Sequence, residues 1–136
     1  MEFIYSKKDP SVLLHCINKK EDINTKRRDL SFNEMFLQVS TINLNEGETF
    51  KPHKHIWKQS PPTCIAQESW IVISGSVKCI LYDLDDKIIA ERILMPGDAS
   101  ITWFGGHTYE ILEDNTQVYE MKTGPYKGIE LDKVHI

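Results

Sequence analysis

Two histidines one residue apart, His53 and His55, stand in a run from Thr49 to His55 that reads as extended chain. Side chains at i and i+2 of a strand leave the same face, so the two imidazoles are presented side by side, as a metal site requires. Glu68 opens a second strand-like run that ends at Gly75. If that strand pairs with the one carrying His53 and His55, its carboxylate joins the imidazoles. His107, just after Gly105-Gly106 at the start of a later strand, could supply a third nitrogen. Three imidazoles and one carboxylate suit a borderline divalent transition metal such as Fe, Mn, Ni, Co or Zn. In octahedral geometry they leave two positions open for substrate or water. Trp70 shares a strand face with Glu68, and Tyr109 shares one with His107. Both could line a substrate cavity above the metal, because aromatic faces stack on sugars or bases and a tyrosine can donate a proton. The plainer reading has both rings filling the interior.

What positions these side chains is a series of short β-rich runs separated by turn residues. They span Met35–Leu44, Thr49–His55, Glu68–Ser74, Val77–Asp83, Lys87–Leu94, Ala99–Trp103, Thr108–Glu113 and Gln117–Lys122. Pro52 inside the second run suggests an edge position or a bend. Ser60-Pro61-Pro62 marks Lys58 to Thr63 as a loop, and the tail from Gly124 to Gly128 reads as irregular. Val77, Cys79 and Leu81 alternate with Ser76, Lys78 and Ile80, the pattern of a strand with one core face. Some eight strands with no long helix imply an all-β sandwich or barrel.

The first thirty or so residues are more polar. Ser11 to Ile17 is their only apolar segment, a short helix or a strand, and Ile23 to Asp29 reads as a solvated loop. Arg27 and Arg28 there could grip a substrate phosphate, although a solvated charge run is the better-supported reading. The chain divides into an N-terminal extension, 1–33, and a barrel domain, 34–136.

The remaining composition sets bounds. A chain of 136 residues, 40% hydrophobic and 26% charged, is one domain able to bury a core without disulfides. Sixteen Lys and Arg against twenty Asp and Glu give a net charge of −4, which argues against nucleic-acid or anionic-membrane partners. No apolar stretch approaches the length of a membrane span, and the start lacks the pattern of a signal peptide. Cys16, Cys64 and Cys79 cannot all pair and form no CxxC, so they read as reduced thiols of a cytoplasmic protein.

The stretch Gly47-Glu-Thr-Phe-Lys-Pro-His53-Lys-His55, followed by Glu68-Ser-Trp-Ile-Val-Ile-Ser-Gly75, resembles the first motif of the cupin superfamily: Gly, five residues, His-x-His, a gap, Glu, six residues, Gly. Pro96-Gly97-Asp98 followed by His107 resembles the second. The resemblance covers roughly Met35 to Lys122. It implies a double-stranded β-helix, or jelly-roll barrel, with a metal held inside by His53, His55, Glu68 and His107. The gap before Glu68 exceeds the family pattern, so Ile56 to Gln67 reads as a loop inserted at the barrel mouth, with Gln67 the rival to Glu68 as fourth ligand. The second motif is altered to Trp103-Phe104-Gly105-Gly106-His107.

A fold of this kind does not by itself give a function. The resemblance implies a metal-dependent enzyme on a small oxygen-rich ligand, a sugar or nucleotide sugar. It would be an isomerase or epimerase of the kind found in bacterial surface-polysaccharide synthesis, with Glu68, or a histidine that leaves the metal, and Tyr109 moving protons and Trp70 and Tyr109 contacting substrate. A non-haem Fe(II) dioxygenase and a non-enzymatic small-ligand binder are the alternatives. A homodimer is expected, because open sheets expose edges and Ser11 to Ile17 could pair across two subunits.

Overall fold

Along the run from Glu68 to Ile73 every second side chain, Glu68, Trp70 and Val72, is buried in the computed structural model, which describes residues 1–58 and 64–136. The same alternation organises the chain into twelve strands among the described residues. In order they are β1 (Glu2–Tyr5), β2 (Leu13–Ile17), β3 (Arg27–Asp29), β4 (Leu37–Leu44), β5 (His53–His55), β6 (Glu68–Ser74), β7 (Val77–Tyr82), β8 (Ile88–Leu94), β9 (Ala99–Thr102), β10 (Gly106–Ile111), β11 (Thr116–Thr123) and β12 (Lys133–His135). Single 3₁₀ turns lie at Lys20–Asp22 and Ile129–Leu131.

Two five-stranded antiparallel sheets face each other, ordered β12-β5-β10-β7-β8 and β3-β4-β11-β6-β9. This is the all-β double-sheet barrel expected from the strand pattern. Its interior changes character along its length. From one end to the other, β6 turns Glu68, Trp70 and Val72 inward, β10 turns His107, Tyr109 and Ile111, and β4 turns Ser40, Ile42 and Leu44. Register keeps these gradients in step, since Glu120 of β11 pairs with both Ser40 and Trp70, and Val118 with both Ile42 and Val72. The apolar half, with Val77 and Cys79 of β7, is the core; each such buried side chain contributes about 1.5–3 kcal/mol. The polar half is where a site can form.

At two glycines the tight joins have a visible steric basis. Gly75 turns β6 into β7 at φ +75°, and a Cβ there would sit 2.1 Å from Thr116 Oγ1. A Cβ on Gly106 would sit 2.5 Å from Ile136 Cδ1 and 3.3 Å from the His53 carbonyl oxygen, so β10 can approach β5 and the side chain of Ile136 closely.

Of the two readings left open for Ser11 to Ile17, the structure shows the strand, β2, which pairs with β1 of the same chain as a separate two-stranded sheet. At three other places the structure differs from the sequence expectations. Arg27 to Asp29 is not a solvated loop but strand β3 on the edge of β4, and Ile23 before it is buried. The strand expected from Thr49 is regular only from His53, Pro52 having no amide hydrogen to donate to a ladder. Strand β12, in a stretch with no alternation to announce it, pairs with β5. Most of the expected loop from Lys58 to Thr63, with Ser60-Pro61-Pro62, lies outside the described residues. The three cysteines are free: Cys16 exposed, Cys64 half-buried and Cys79 in the core. Among the described residues no helix is long and apolar enough to cross a membrane.

Candidate metal centre

His53 and His55 leave the same face of β5, as the i, i+2 spacing requires. His107 on β10 lies directly opposite His53 in the antiparallel register. Glu68 comes from β6. That strand does not pair with β5, contrary to the pairing the sequence suggested; it lies in the other sheet. Its carboxylate therefore meets the imidazoles across the barrel interior. One ligand atom from each of the four residues lies within 4.8 Å of all the others, and all four residues are buried. Glu68 belongs to this group and opens β6, whereas its neighbour Gln67 lies just before that strand and is half-buried.

Two of the three rings are held by acceptors at Nδ1, while Nδ1 of His107 is buried without one. His53 Nδ1 lies 3.0 Å from the Lys51 carbonyl oxygen. His55 Nδ1 lies 3.2 Å from Asp132 Oδ2 and 3.3 Å from the Asp132 carbonyl oxygen. Carbonyl and carboxylate oxygens only accept, so both Nδ1 atoms donate. In a neutral ring that leaves the Nε2 lone pair free for a cation, the arrangement that orients metal-binding histidines. His55 Nε2 and His107 Nε2 lie 3.2 and 3.1 Å from the two oxygens of Glu68. Without a cation, protons on these nitrogens must satisfy the buried carboxylate. A divalent ion can replace those protons, so the donor set fits a transition metal.

The charges follow from these contacts. Burial, with the nearby charges of His107 and Lys133, lowers the pKa of His53 to about 4. Burial also opposes the charge on His55, but Asp132 and Glu68 outweigh it and raise its pKa to about 9. Glu68 is held well below the usual carboxylate range, burial being overcome by hydrogen bonds from His107 and His55. Asp132 is held low in the same manner by His55, Lys122 and Lys58.

A cavity of about 300 Å³ opens beside the four donors, with His53 and Glu68 in its wall. Trp70 and Tyr109 also line it, yet they are only 2% and 1% exposed. Their rings stack on each other with centroids 4.0 Å apart at 11°, and Phe50 meets Trp70 edge-on. The face of each ring that a sugar would cover is thus partly taken by the other. The Tyr109 hydroxyl lies 2.8 Å from Ser100 Oγ, and burial, together with the charge of Glu68, pushes its pKa well above the ordinary value. Trp57 of the inserted loop is 57% exposed. Arg27 borders the cavity but is not an open phosphate grip. Its guanidinium spans both oxygens of Glu120 at 2.7 and 3.2 Å and reaches Asp29 at 3.0 Å.

Two residues of this site carry no sequence signal. Asp132 orients His55, and Lys133 places its Nζ 3.3 Å from His53 Nε2. Both reach the centre because β12 pairs with β5, and nothing local in Asp-Lys-Val-His announces that pairing.

No family model and no curated protein matches the sequence. Solved structures do match. KdgF from Halomonas sp. superposes with a TM-score of 0.56 at 19% identity, over 71% of this chain and 76% of that one. The capsular polysaccharide assembling protein CapF from Staphylococcus aureus gives 0.63 at 19% identity, over 81% of this chain but only 31% of its own; this chain thus spans less than a third of CapF. A cupin superfamily protein from Desulfitobacterium hafniense gives 0.53 at 10% identity, over 71% and 74% of the two chains. With two facing antiparallel sheets and a His/Glu cluster inside one end, this chain has the cupin fold, the double-stranded β-helix.

Proposed function

We propose that this chain binds a divalent transition-metal ion through His53, His55, Glu68 and His107 and acts as an isomerase or epimerase on a small oxygen-rich ligand such as a sugar. The observation that carries the reading is the convergence of four buried donors within 4.8 Å beside a cavity of about 300 Å³. That volume is at the lower end of small-molecule sites. The likeness to CapF, a capsular polysaccharide assembling protein, supports a carbohydrate ligand.

A bound divalent ion would hold ligand oxygens and polarise one of them as a Lewis acid. The chain's own residues do the rest. Lys51 and Asp132 fix the rings of His53 and His55, so that the site needs little reorganisation when a ligand arrives. Glu68, in contact with two imidazole nitrogens, is the proposed proton carrier. Tyr109, kept neutral by burial, holds a phenolic proton beside Ser100 and is the proposed second donor. Trp70 and Phe50 supply an apolar wall that excludes water.

The test is metal analysis of protein purified without chelators, repeated on His53→Ala and His107→Ala, followed by sugar conversion with loaded and stripped protein. One ion per chain in the parent, its loss in both variants and conversion only with metal are the expected results. Conversion at equal rates without metal overturns the reading. Fe(II)-dependent oxygen uptake selects a dioxygenase instead, and a ligand recovered unchanged selects a binding protein.

A further inference from the structure

We propose that the ligand carries a carboxylate and that Lys133 holds it; this rests on the reading that a divalent ion occupies the four-donor site. Lys133 opens β12 and lies half-buried at the cavity wall, with its Nζ 3.3 Å from His53 Nε2. His53 donates through Nδ1 to Lys51, so Nε2 is the acceptor and the ammonium the donor. The same lone pair is the one a metal ion takes. Filling the site therefore removes the hydrogen-bond acceptor of Lys133 and leaves an ammonium next to a dication. Like charges in a partly enclosed site repel, and an anion shared between them removes the conflict.

Among the described residues no anion does this. Among the described residues no carboxylate lies within ion-pair distance of Lys133, whereas the other two cavity cations are engaged. Arg27 is held by Glu120 and Asp29, and Lys122 lies 3.9 Å from Asp132 and over the ring of Tyr126. The charges lining the cavity make the same point. Arg27, Lys122 and Lys133 balance Asp29, Glu68 and Glu120, so a divalent ion leaves an excess of two positive charges. One free ammonium is a point donor suited to a single carboxylate oxygen, while a phosphate recruits several donors or a guanidinium fork. A 2-hydroxycarboxylate meets the requirement. Its adjacent oxygens can face the ion, and its carboxylate can reach Lys133.

The experiment loads the full chain with Zn(II), measures the zinc content, and titrates it calorimetrically with glycolate, ethylene glycol and methyl phosphate. Glycolate and ethylene glycol share two adjacent oxygens and differ in the carboxylate. Glycolate should bind about tenfold or more tighter than ethylene glycol, its carboxylate meeting both the ion and Lys133, and Lys133→Met should cut that advantage about fivefold or more without changing zinc content or ethylene glycol affinity. Lys133→Arg should retain it. With no ligand present, Lys133→Met should bind zinc more tightly than the parent, a gain that a purely structural lysine would not produce. Equal affinities for glycolate and ethylene glycol, an unchanged glycolate affinity in Lys133→Met, or a preference for methyl phosphate overturns the proposal and leaves the metal reading standing. Failure of the parent to take up zinc overturns both.

Discussion

Metal binding at neutral pH should expel a proton from His55. Nδ1 of this ring faces Asp132 at 3.2 Å and Nε2 faces Glu68 at 3.2 Å. Both partners are carboxylates that only accept, so the metal-free ring carries two protons, and its pKa rises to about 9 despite burial. At pH 7 about 99% of the rings are then charged, and an ion on Nε2 must first displace that proton. A gap of two pH units amounts to about 3 kcal/mol, or roughly a hundredfold weaker apparent affinity at pH 7 than above pH 9. His53, at about 4, is already neutral and adds nothing at pH 7. Zinc titration by calorimetry between pH 6.5 and 8.5, in two buffers of different ionisation enthalpy, reads both quantities. His55 should contribute about one released proton per ion at pH 7, with the dissociation constant falling about tenfold per pH unit. Binding that releases no proton and does not vary with pH would refute the charge assignment at His55.

Asp132→Asn should weaken metal binding by about 10–100-fold when read above pH 9, where proton competition at His55 has ended; unchanged affinity there would mean that Asp132 does not orient the ring. The stability of metal-free protein should peak near neutral pH. The folded pKa of His55 is raised, so its contribution is present below pH 6.5 and lost as pH rises through 9; that of His53 is depressed, so its contribution is present above 6.5 and lost as pH falls through 4. Thermal melts across pH 4 to 9 check this, and a flat profile would contradict it. Gly75→Ala should cost about 2–4 kcal/mol in urea unfolding, from the left-handed backbone and the clash with Thr116; a loss under about 1 kcal/mol would show that the turn relaxes freely. The β1–β2 hairpin is a separate sheet with Phe3, Tyr5 and Leu14 exposed, and such a pair is marginal alone. Light scattering at micromolar concentration should give a dimer that removal of residues 1–17 converts to a monomer; a monomeric parent would refute it.

Much of the barrel was legible because strands announce themselves locally. The run from Glu68 to Ser74 is β-branched and aromatic and ends at a glycine, and the structure bounds β6 at the same residues. The short β3 and β12 gave no such signal. Their three residues each are too few to show a period of two, and they are strands because neighbouring edges accept them. Arg27 shows the cost of reading charge locally. Beside Lys26 and Arg28 it resembles a solvated run, yet its partner Glu120 is 93 residues away.

For the site, spacing alone sufficed to set His53 and His55 on one face and to place Glu68 and Trp70 together on another, because side-chain direction along a strand alternates whatever surrounds it. Which strand faces which is a property of the closed barrel. That closure put Glu68 across from the imidazoles instead of beside them. It also brought Asp132 and Lys133 to the centre from the far end of the chain. Local periodicity fixes a direction within each strand; convergence of distant strands depends on register and sheet order, which no short stretch of residues encodes.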